Sequence, residues 1–257
     1  MNFCSNCGSK LHIKSKYCSM CGMSLLDPQK EGDSDNLSFR RARTTEQIAQ
    51  RQEEIINACG VLFEKGGYEA VSFTAISEMT TIARQGFYRY YSTKEEILLD
   101  LLKREIANWQ DDLLRQIEEI DTMTKDEFSE FLANVFFEHP KMLKLHSLLF
   151  NVLENNCSVE KLADFKSEVA DYQSPIVRGV EKYFPGASKE NTLLFARACL
   201  AIVLGFCSLL NVSEKQIEAG ILAEHTYYDP EGLNLSEYYQ KGIALLMSSL
   251  EEGKSTP

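Results

Sequence analysis

The 257-residue chain has a formal net charge of −11, with 44% apolar and 25% charged residues, a balance typical of globular proteins. This length suffices for one large core or two modest ones, and no uninterrupted apolar run approaches the roughly 18 residues that span a bilayer. The N-terminus lacks the apolar segment of a signal peptide, so we expect a cytoplasmic protein without membrane attachment. Eight cysteines in such a chain favour metal binding or buried thiols over disulfides.

The acidity is confined to the C-terminal part. Residues 1–95 hold 12 Lys and Arg against 11 Asp and Glu, whereas residues 96–257 hold 15 against 27. The N-terminal part is therefore compatible with a polyanionic partner such as nucleic acid, from which the acidic part would be held away.

Residues 1–26 contain two CxxCG motifs. Each motif places two thiolates on one tight turn, and four thiolates suit tetrahedral Zn²⁺. The four ligands would be Cys4, Cys7, Cys18 and Cys21. The segment has too few apolar residues to fold alone, so bound metal would supply its stability. The spacing resembles that of small zinc-ribbon modules. Such a module could have a purely structural role at the N-terminus, it could contact DNA or protein, or it could sense metal or redox state.

Residues 27–43 are predicted to be a flexible linker that ends in a basic arm. Asp27 to Ser38 is polar, free of aromatic residues and without periodicity. Arg40, Arg41 and Arg43 follow, where a basic arm can reach into a minor groove. A solvated linker end is an equally good interpretation.

The stretch Ser72 to Lys94 predicts two short helices with a tight break between them. Phe73, Ile76 and Met79 form one apolar face of the first helix, with the preceding serine as N-cap. The second helix is expected from Arg84 to Tyr91. Its other face carries cations, an amide and tyrosines but no carboxylate, which indicates an anionic partner. This is the helix-turn-helix layout, whose second helix enters the major groove of DNA.

Predicted helices on either side complete a DNA-binding domain over residues 44–95. Thr45 to Lys65 has an apolar stripe that includes Cys59, most simply a small core residue, and ends at two glycines. Thr93 is expected to cap the next helix in a Thr-x-x-Glu box closed by Glu96. That helix should continue into the C-terminal part and connect the two domains mechanically.

The sequence GGYEAVSFTAISEMTTIARQGFYRYYSTKEEILLDLL, from Gly66 to Leu102, resembles the DNA-binding signature of the TetR family of transcriptional repressors. The most specific part is FYRYY followed by STKEE. Two positions depart from the family pattern. Thr81 stands where the family usually has the glycine of the turn, and Gly86 lies inside the second helix, where it costs about 1 kcal/mol relative to alanine.

The resemblance implies a ligand-responsive repressor that binds a palindromic operator in double-stranded DNA as a homodimer. Carried over position by position, it places Arg84 and Gln85 at or near base edges and Thr74 at the groove edge. It places four residues on phosphates, namely Tyr88, Arg89, Tyr90 and Lys94. A small-molecule effector in the C-terminal part would tilt the connecting helix, separate the two helix-turn-helix units and lower operator affinity.

Residues 96–257 are predicted to be an all-helical effector-binding and dimerisation domain. Leu193 to Leu210 is nearly apolar all round, so it is expected to be buried on all sides. With Tyr238 to Leu250 it would form half of a four-helix bundle that a second subunit completes. Apolar spacings of three and four indicate helices over Lys125 to Glu138, Pro140 to Asn155, Val159 to Phe184, Lys189 to Leu210 and Leu235 to Leu250. Apart from the zinc ribbon, the fold class is thus all-α and TetR-like.

Effector-binding residues are only weakly indicated. His146 lies among leucines and near Phe150, where a core histidine with satisfied hydrogen bonds is the commoner outcome than a ligand contact. Phenylalanines could line a cavity, although aromatic residues at helical spacing usually belong to the core. The candidates are Phe136, Phe137, Phe150, Phe195 and Phe206.

No catalytic motif, phosphate-binding glycine loop or dinucleotide fingerprint is present, so an enzyme is not expected. The main alternative to a repressor is a protein-interaction scaffold. In that interpretation the zinc ribbon binds a protein partner, and the helix-turn-helix no longer recognises a DNA sequence.

Overall fold

The computed structural model of the protein describes residues 45–210, 214–223 and 234–250. The predicted zinc ribbon, linker and basic arm lie outside the described residues. Within the described residues the chain forms helices and no strand, which confirms the all-α prediction for that part of the chain.

Four helices form the N-terminal part: α1 (Thr45–Ala70), α2 (Phe73–Met79), α3 (Arg84–Phe87) and α4 (Lys94–Glu119). Helical geometry in α1 is interrupted at Gly66 and Gly67, where the φ of Gly67 is 63°. Glycine adopts this left-handed conformation without a steric penalty, so the predicted end of the first helix is confirmed. Cys59 is fully buried in α1, and burial raises the pKa of its thiol to about 12, as expected of a core residue.

Eight further helices follow: α5 (Lys125–Glu138), α6 (Pro140–Leu148), α7 (Glu154–Asn156), α8 (Val159–Glu168), α9 (Ser174–Tyr183), α10 (Lys189–Leu210), α11 (Glu214–Leu222) and α12 (Leu235–Leu246). A π-helical segment, Leu149–Leu153, joins α6 to α7, and a 3₁₀ turn, Met247–Leu250, extends α12. The single helix predicted over Val159 to Phe184 is wrong, because Pro175 begins a separate helix, α9, in its first turn. No helix was predicted for the segment that forms α11.

The core is built around α4, which contacts helices of both the N-terminal and the C-terminal part. Trp109 of α4 is buried and stacks on Phe136 of α5, with ring centroids 5.3 Å apart. Phe128 of α5 is the centre of an aromatic cluster that includes Phe195 of α10. In turn, α12 packs on α5 and α10. These contacts bring α10 and α12 side by side.

Only one face of α10 is buried within the single chain, so the predicted burial on all sides would require the second subunit. The buried face packs on α6, α9 and α12. The opposite face is exposed and carries Leu194, Ala201, Gly205, Ser208 and Leu209. In length and composition α10 could also cross a membrane, over Lys189–Leu209. The structure instead uses it as a partly buried helix of a helical core.

Gly242 allows α12 to approach α10 closely. A Cβ atom at this position would lie 2.6 Å from Ile202 Cγ2 and 2.6 Å from Phe206 Cε2. Real Cβ atoms do not approach other atoms so closely, and a larger residue would therefore push the two helices apart.

Candidate DNA-binding surface and internal cavities

The turn between α2 and α3 is held by α1 rather than by a glycine. The residue that follows α2, Thr80, is extended, with φ −125°. The Thr81 N–H donates to Glu54 Oε1 of α1 at 2.5 Å, and the Thr81 hydroxyl contacts Glu54 and Arg51. Burial would raise the pKa of Glu54, but these hydrogen bonds and the charge of Arg51 hold it below its ordinary value. A glycine at position 81 would keep the N–H bond but could not make the hydroxyl contacts to Glu54 and Arg51.

The two helices of the motif are fixed by a small apolar core. Ile76 of α2 and Phe87 of α3 are fully buried, and the rings of Phe73 and Phe87 stack with centroids 5.6 Å apart. The Ser72 hydroxyl accepts from the Ala75 N–H at 3.1 Å, which confirms the predicted N-cap. Met79, predicted to share the apolar face, is instead 44% exposed at the end of α2.

Regular α-helical structure in α3 ends at Phe87, four residues before the predicted end. The chain then continues in tighter turns, in which the Tyr90 N–H donates to the Phe87 carbonyl at 2.8 Å. Gly86 allows a close contact inside this short helix, because a Cβ atom there would lie 3.0 Å from Ile82 Cγ2. The absence of a side chain at Gly86 therefore allows the α3 backbone to pack closely against the buried Ile82.

Five of the seven predicted DNA-contacting residues are exposed: Thr74, Arg84, Gln85, Tyr88 and Arg89. Among the described residues, neither Arg84 nor Arg89 has an acidic partner. No carboxylate occurs between Met79 and Lys94 in the sequence. The outer side of α3 and of the turn after it is therefore a cationic surface, able to contact phosphates and base edges.

Tyr90 and Lys94 are half-buried, and Lys94 is engaged within the protein. Its Nζ donates to the Tyr68 carbonyl at 3.1 Å and lies 3.6 Å from the centroid of the Tyr68 ring. The Tyr68 hydroxyl in turn donates to Glu95 at 2.5 Å, an interaction that raises the pKa of Tyr68 to about 12. Lys94 thus connects the start of α4 to the end of α1.

A polar network ties the start of α4 to the C-terminal part. Thr93 caps α4 by accepting from the Glu96 N–H at 3.3 Å. The expected return bond of a capping box is shifted by one residue, because Glu96 Oε2 accepts from the Ser92 N–H at 2.7 Å. Its other oxygen accepts from Ser158, at the start of α8, through the hydroxyl at 2.8 Å and the N–H at 3.2 Å. One carboxylate thus joins the end of the helix-turn-helix to α8.

Asp100, one turn further along α4, repeats this arrangement. Its Oδ2 accepts from the Tyr91 hydroxyl at 2.8 Å and from Lys161 Nζ of α8 at 2.7 Å. Burial and the neighbouring charge of Asp100 raise the pKa of Tyr91, so the hydroxyl stays a donor. Sequence reasoning missed these residues. The available signal was the pair of carboxylates Glu96 and Asp100, four residues apart among the apolar residues of α4.

A cavity of about 200 Å³ lies against His146, between α4, α6, the π-helical segment and α8. His146 is buried, its Nδ1 has no hydrogen-bond partner among the described residues, and burial lowers the pKa of the ring. The imidazole is therefore a neutral group in the core, and the hydrogen-bonding capacity of its Nδ1 is not used within the described residues. Phe150 and Tyr172 flank it, with ring centroids 6.0 and 5.8 Å from the His146 ring. π-Helical segments frequently occur at functional sites.

A second cavity, of about 340 Å³, is lined by residues of α5, α6, α10 and α12, among them Phe136, Phe137, Lys144 and Tyr239. Of the other phenylalanines singled out in the sequence, Phe195 is buried in the core and Phe206 packs near Gly242. The two cavities therefore involve three of the five aromatic candidates, counting Phe150 in the first.

The histidine and cysteine side chains of the described residues do not form a metal site, since no group of three or more His, Cys, Asp or Glu is suitably placed there. His139 instead pairs with Asp112, whose Oδ2 lies 3.3 Å from His139 Nε2. The four zinc ligands predicted from the sequence and His225 lie outside the part of the chain that the structure describes.

An acid-free, cationic second helix that packs on a short first helix is the arrangement of a helix-turn-helix DNA-binding protein. Residues 55–101 match the family described as bacterial regulatory proteins, tetR family, and residues 103–253 match the tetracyclin repressor-like C-terminal domain. The chain therefore belongs to the TetR family and is a DNA-binding transcriptional regulator, not an enzyme. Regulators of this family are soluble cytoplasmic proteins.

Individual proteins resemble the chain over different lengths. A helix-turn-helix regulator from Lactococcus lactis is 25% identical over 174 residues, which are 65% of this chain and 86% of that protein. The repressor KstR from Rhodococcus jostii is 39% identical over 56 residues, 22% of this chain and 26% of that repressor. A solved TetR/AcrR-family regulator from Thermobifida fusca has 20% identity and a TM-score of 0.48, over 77% of this chain and 97% of that one.

Proposed function

We propose that this regulator is a ligand-responsive repressor that binds a palindromic operator as a homodimer in the cytoplasm. The observation that carries this proposal is the exposed, acid-free surface of α3 and of the turn after it, where Arg84, Gln85 and Arg89 flank the buried Phe87. A face that is rigidly supported and cationic is what entry into a major groove requires.

The roles of individual residues follow from their positions on this face. Arg84 and Gln85 lie at the start of α3, where side chains reach base edges, and Thr74 lies at the groove edge. Tyr88 and Arg89 lie beyond them and are assigned to phosphates. Tyr90 and Lys94 are assigned to phosphates as well, although each is half-buried. For Lys94, contact with DNA competes with the contact to Tyr68.

A second subunit would cover the exposed faces of α10 and α12. Leu194 and Leu209 of α10 and Leu245 of α12 are 58%, 69% and 79% exposed. The small residues Ala201 and Gly205 lie on the same face of α10 and would allow close approach of a partner helix. Such an apolar face on a cytoplasmic protein suits a symmetric four-helix interface.

The cavity beside His146 is the proposed effector site. Glu154 and Lys166 lie at this cavity and form an ion pair at 2.7 Å. They belong to the same α7–α8 segment that binds Glu96 and Asp100 of α4. A ligand that displaces this segment would therefore loosen the attachment of the helix-turn-helix and lower operator affinity.

The N-terminal cysteines are proposed to bind one Zn²⁺ per chain. Paired CxxC spacing in a cytoplasmic protein supports this proposal, and the four ligands would be Cys4, Cys7, Cys18 and Cys21. Metal analysis of protein purified without chelator is expected to find one zinc per chain. The absence of zinc, or a Cys4–Cys7 disulfide in reduced protein, would contradict the proposal.

Selection of bound sites from random DNA tests the repressor proposal against the scaffold alternative. Purified protein is expected to enrich a palindrome whose half-sites lie about one helical turn apart, with binding that resists non-specific competitor. Recovery of random sequences would favour the scaffold. Sedimentation is expected to give a dimer that Leu245→Arg dissociates. Val159→Arg, a control at another exposed apolar position, should leave the dimer intact.

A further inference from the structure

The cavity of about 200 Å³ beside His146, which we call the His146 cavity, has no uncompensated charge among its described lining residues. Glu154 and Lys166 pair with each other, with Glu154 Oε1 and Lys166 Nζ 2.7 Å apart. Burial lowers the pKa of His146, so its ring is neutral at pH 7. The other lining residues are uncharged: Ile106, Leu149, Phe150, Phe165, Val169 and Tyr172. Because a charge without a partner is costly to remove from water, the cavity favours a neutral ligand.

The Nε2 atom of His146 is a polar atom that a ligand in this cavity can reach. Neither ring nitrogen has a hydrogen-bond partner among the described residues. Nδ1 has no accessible surface and lies towards the main chain of His146 itself, whereas Nε2 keeps accessible surface. Since the whole residue is only 4% exposed and lines the cavity, the surface of Nε2 opens into the cavity. The imidazole thus offers a ligand one hydrogen-bonding position, at Nε2.

The π-helical segment beside His146 is held in its shape by two asparagine side chains. Asn155 Nδ2 donates to the Asn151 carbonyl at 3.1 Å, and Asn156 Nδ2 donates to the Val152 carbonyl at 2.8 Å. These bonds use carbonyls inside the segment, where the α-helical pattern is interrupted. The segment supplies Leu149 and Phe150 to the cavity. This part of the wall is therefore a supported element of the fold, and ligand sites are usually preformed in this way.

We propose that the His146 cavity binds a small neutral molecule that has an apolar body and one hydroxyl group, an inference that rests on the proposed effector role of this cavity. The hydroxyl bonds to His146 Nε2, and the body packs on Phe165 and Tyr172. A hydroxyl suits either neutral tautomer of the ring, because it donates to a bare nitrogen and accepts from an N–H group. Since a cavity of about 150 Å³ accepts benzene, this one accommodates a ring with roughly one or two substituent atoms.

Titration of the full chain with phenol, followed by nitrogen NMR of protein labelled at histidine, tests the proposal. Phenol is expected to shift the Nε2 resonance of His146. The resonances of His139, which pairs with Asp112 and does not line the cavity, should stay unchanged. Toluene has the same shape but no hydroxyl, so it should bind and shift Nε2 far less. Replacing each of the four histidines in turn assigns the resonances. Undetectable binding of phenol at millimolar concentration overturns the proposal, and so does binding that leaves Nε2 unshifted.

His146→Leu is expected to weaken phenol binding about tenfold and to leave toluene binding unchanged, because the phenol hydroxyl would then be buried without a partner. His139→Leu is the matched control, since it is the same substitution at a histidine outside the cavity. It should keep both affinities. Equal losses of phenol binding in the two variants overturn the proposal, as does an equal loss of phenol and toluene binding in His146→Leu. Thermal melts monitor folding, and the resonances of the unmodified protein decide if His146→Leu does not fold.

Operator titrations with and without phenol separate the ligand assignment from the effector role. With phenol bound, affinity for the selected operator is expected to fall by about fivefold or more, a typical coupling between two sites. Phenol that shifts Nε2 and leaves operator affinity unchanged would contradict the effector role and support the ligand assignment. Phenol that lowers operator affinity without shifting Nε2 would overturn the ligand assignment alone.

Discussion

Ser158 and Glu96, 62 residues apart in sequence, are joined by two hydrogen bonds to one carboxylate oxygen. The Ser158 hydroxyl donates to Glu96 Oε1 at 2.8 Å and the Ser158 N–H donates to the same atom at 3.2 Å. The other oxygen of Glu96 holds the Ser92 N–H, directly after the helix-turn-helix. A movement of α8 relative to α4 must therefore break charge-assisted hydrogen bonds before it reaches the DNA-binding face.

Ser158→Ala is expected to lower the free energy of unfolding at pH 7 by roughly 1.5–3 kcal/mol. It removes one hydrogen bond to a buried carboxylate and the cap of α8, whose Lys161 N–H bonds to the Ser158 hydroxyl. Urea unfolding measures the change. The matched control is Ser147→Ala, because within the described part of the chain that hydroxyl donates only to the Lys144 carbonyl of its own helix. If both variants change stability by the same amount, the bond to Glu96 contributes nothing.

The effect of Ser158→Ala should depend on pH. Burial alone would raise the pKa of Glu96, but the hydrogen bonds from Ser92 and Ser158 lower it below its ordinary value of 4.5. The stabilisation is therefore fully present above pH 4.5, and it is lost as the pH falls through the lower folded-state pKa. Unfolding free energies of the two proteins should converge in that acidic range. A stability difference that grows on acidification would contradict this assignment.

The sequence predicted helices better than it predicted contacts between them. The bounds of α5 and α10 follow from apolar periodicity and agree with the prediction, because both are properties of neighbouring residues along the chain. The contact of Glu96 with Ser158 could not be predicted, since no local pattern specifies which helix a buried carboxylate will meet. The dual contact of Lys94 with Tyr68 was missed for the same reason.

On the cationic surface of α3 and the following turn, local features could likewise be predicted from the sequence, whereas packing contacts could not. The exposure of Gln85 and Arg89 could be predicted from helical periodicity, because each lies two residues from the buried Phe87 and so on the other side of the helix. The end of α3 at Phe87 and the close contact between Gly86 and Ile82 were not predicted, and the contact is a packing relationship. The sequence alone suggested only that the glycine would loosen the helix.

Gly242→Ala is expected to destabilise the protein by roughly 1–3 kcal/mol, because the added methyl group would overlap Ile202 and Phe206 of α10. Thermal or urea unfolding at fixed protein concentration measures the loss. Gly60→Ala in α1 is the control, since a Cβ atom there would make only ordinary van der Waals contacts at 3.5 Å. That variant should not lose stability, because alanine has a helix propensity about 1 kcal/mol better than glycine. Equal stability of Gly242→Ala and the unmodified protein would show that α10 and α12 are less closely packed.

Lys94→Ala should lower folding stability by about 1 kcal/mol in addition to any effect on DNA. The ammonium donates to the Tyr68 carbonyl and lies over its ring, so the change removes a hydrogen bond and a cation–π contact. Chemical denaturation measures this loss. Arg89→Ala is the comparison, because Arg89 is exposed and has no partner among the described residues. The denaturant midpoint of Arg89→Ala should equal that of the unmodified protein. If the midpoint of Lys94→Ala is also unchanged, Lys94 has no structural role.

Gln85 and Arg89 are expected to contribute differently to DNA binding, since we assign Gln85 to base edges and Arg89 to phosphates. Gln85→Ala should cost about 1–3 kcal/mol on the best selected operator and little on random DNA, because the amide can pair with adenine. Arg89→Ala should weaken binding to both DNAs about equally and reduce the slope of log K against log salt by roughly 1. Titrations of operator and random duplex at several salt concentrations measure both quantities. If the two variants behave alike on specific and random DNA, the assignment of roles is wrong and the scaffold alternative gains support.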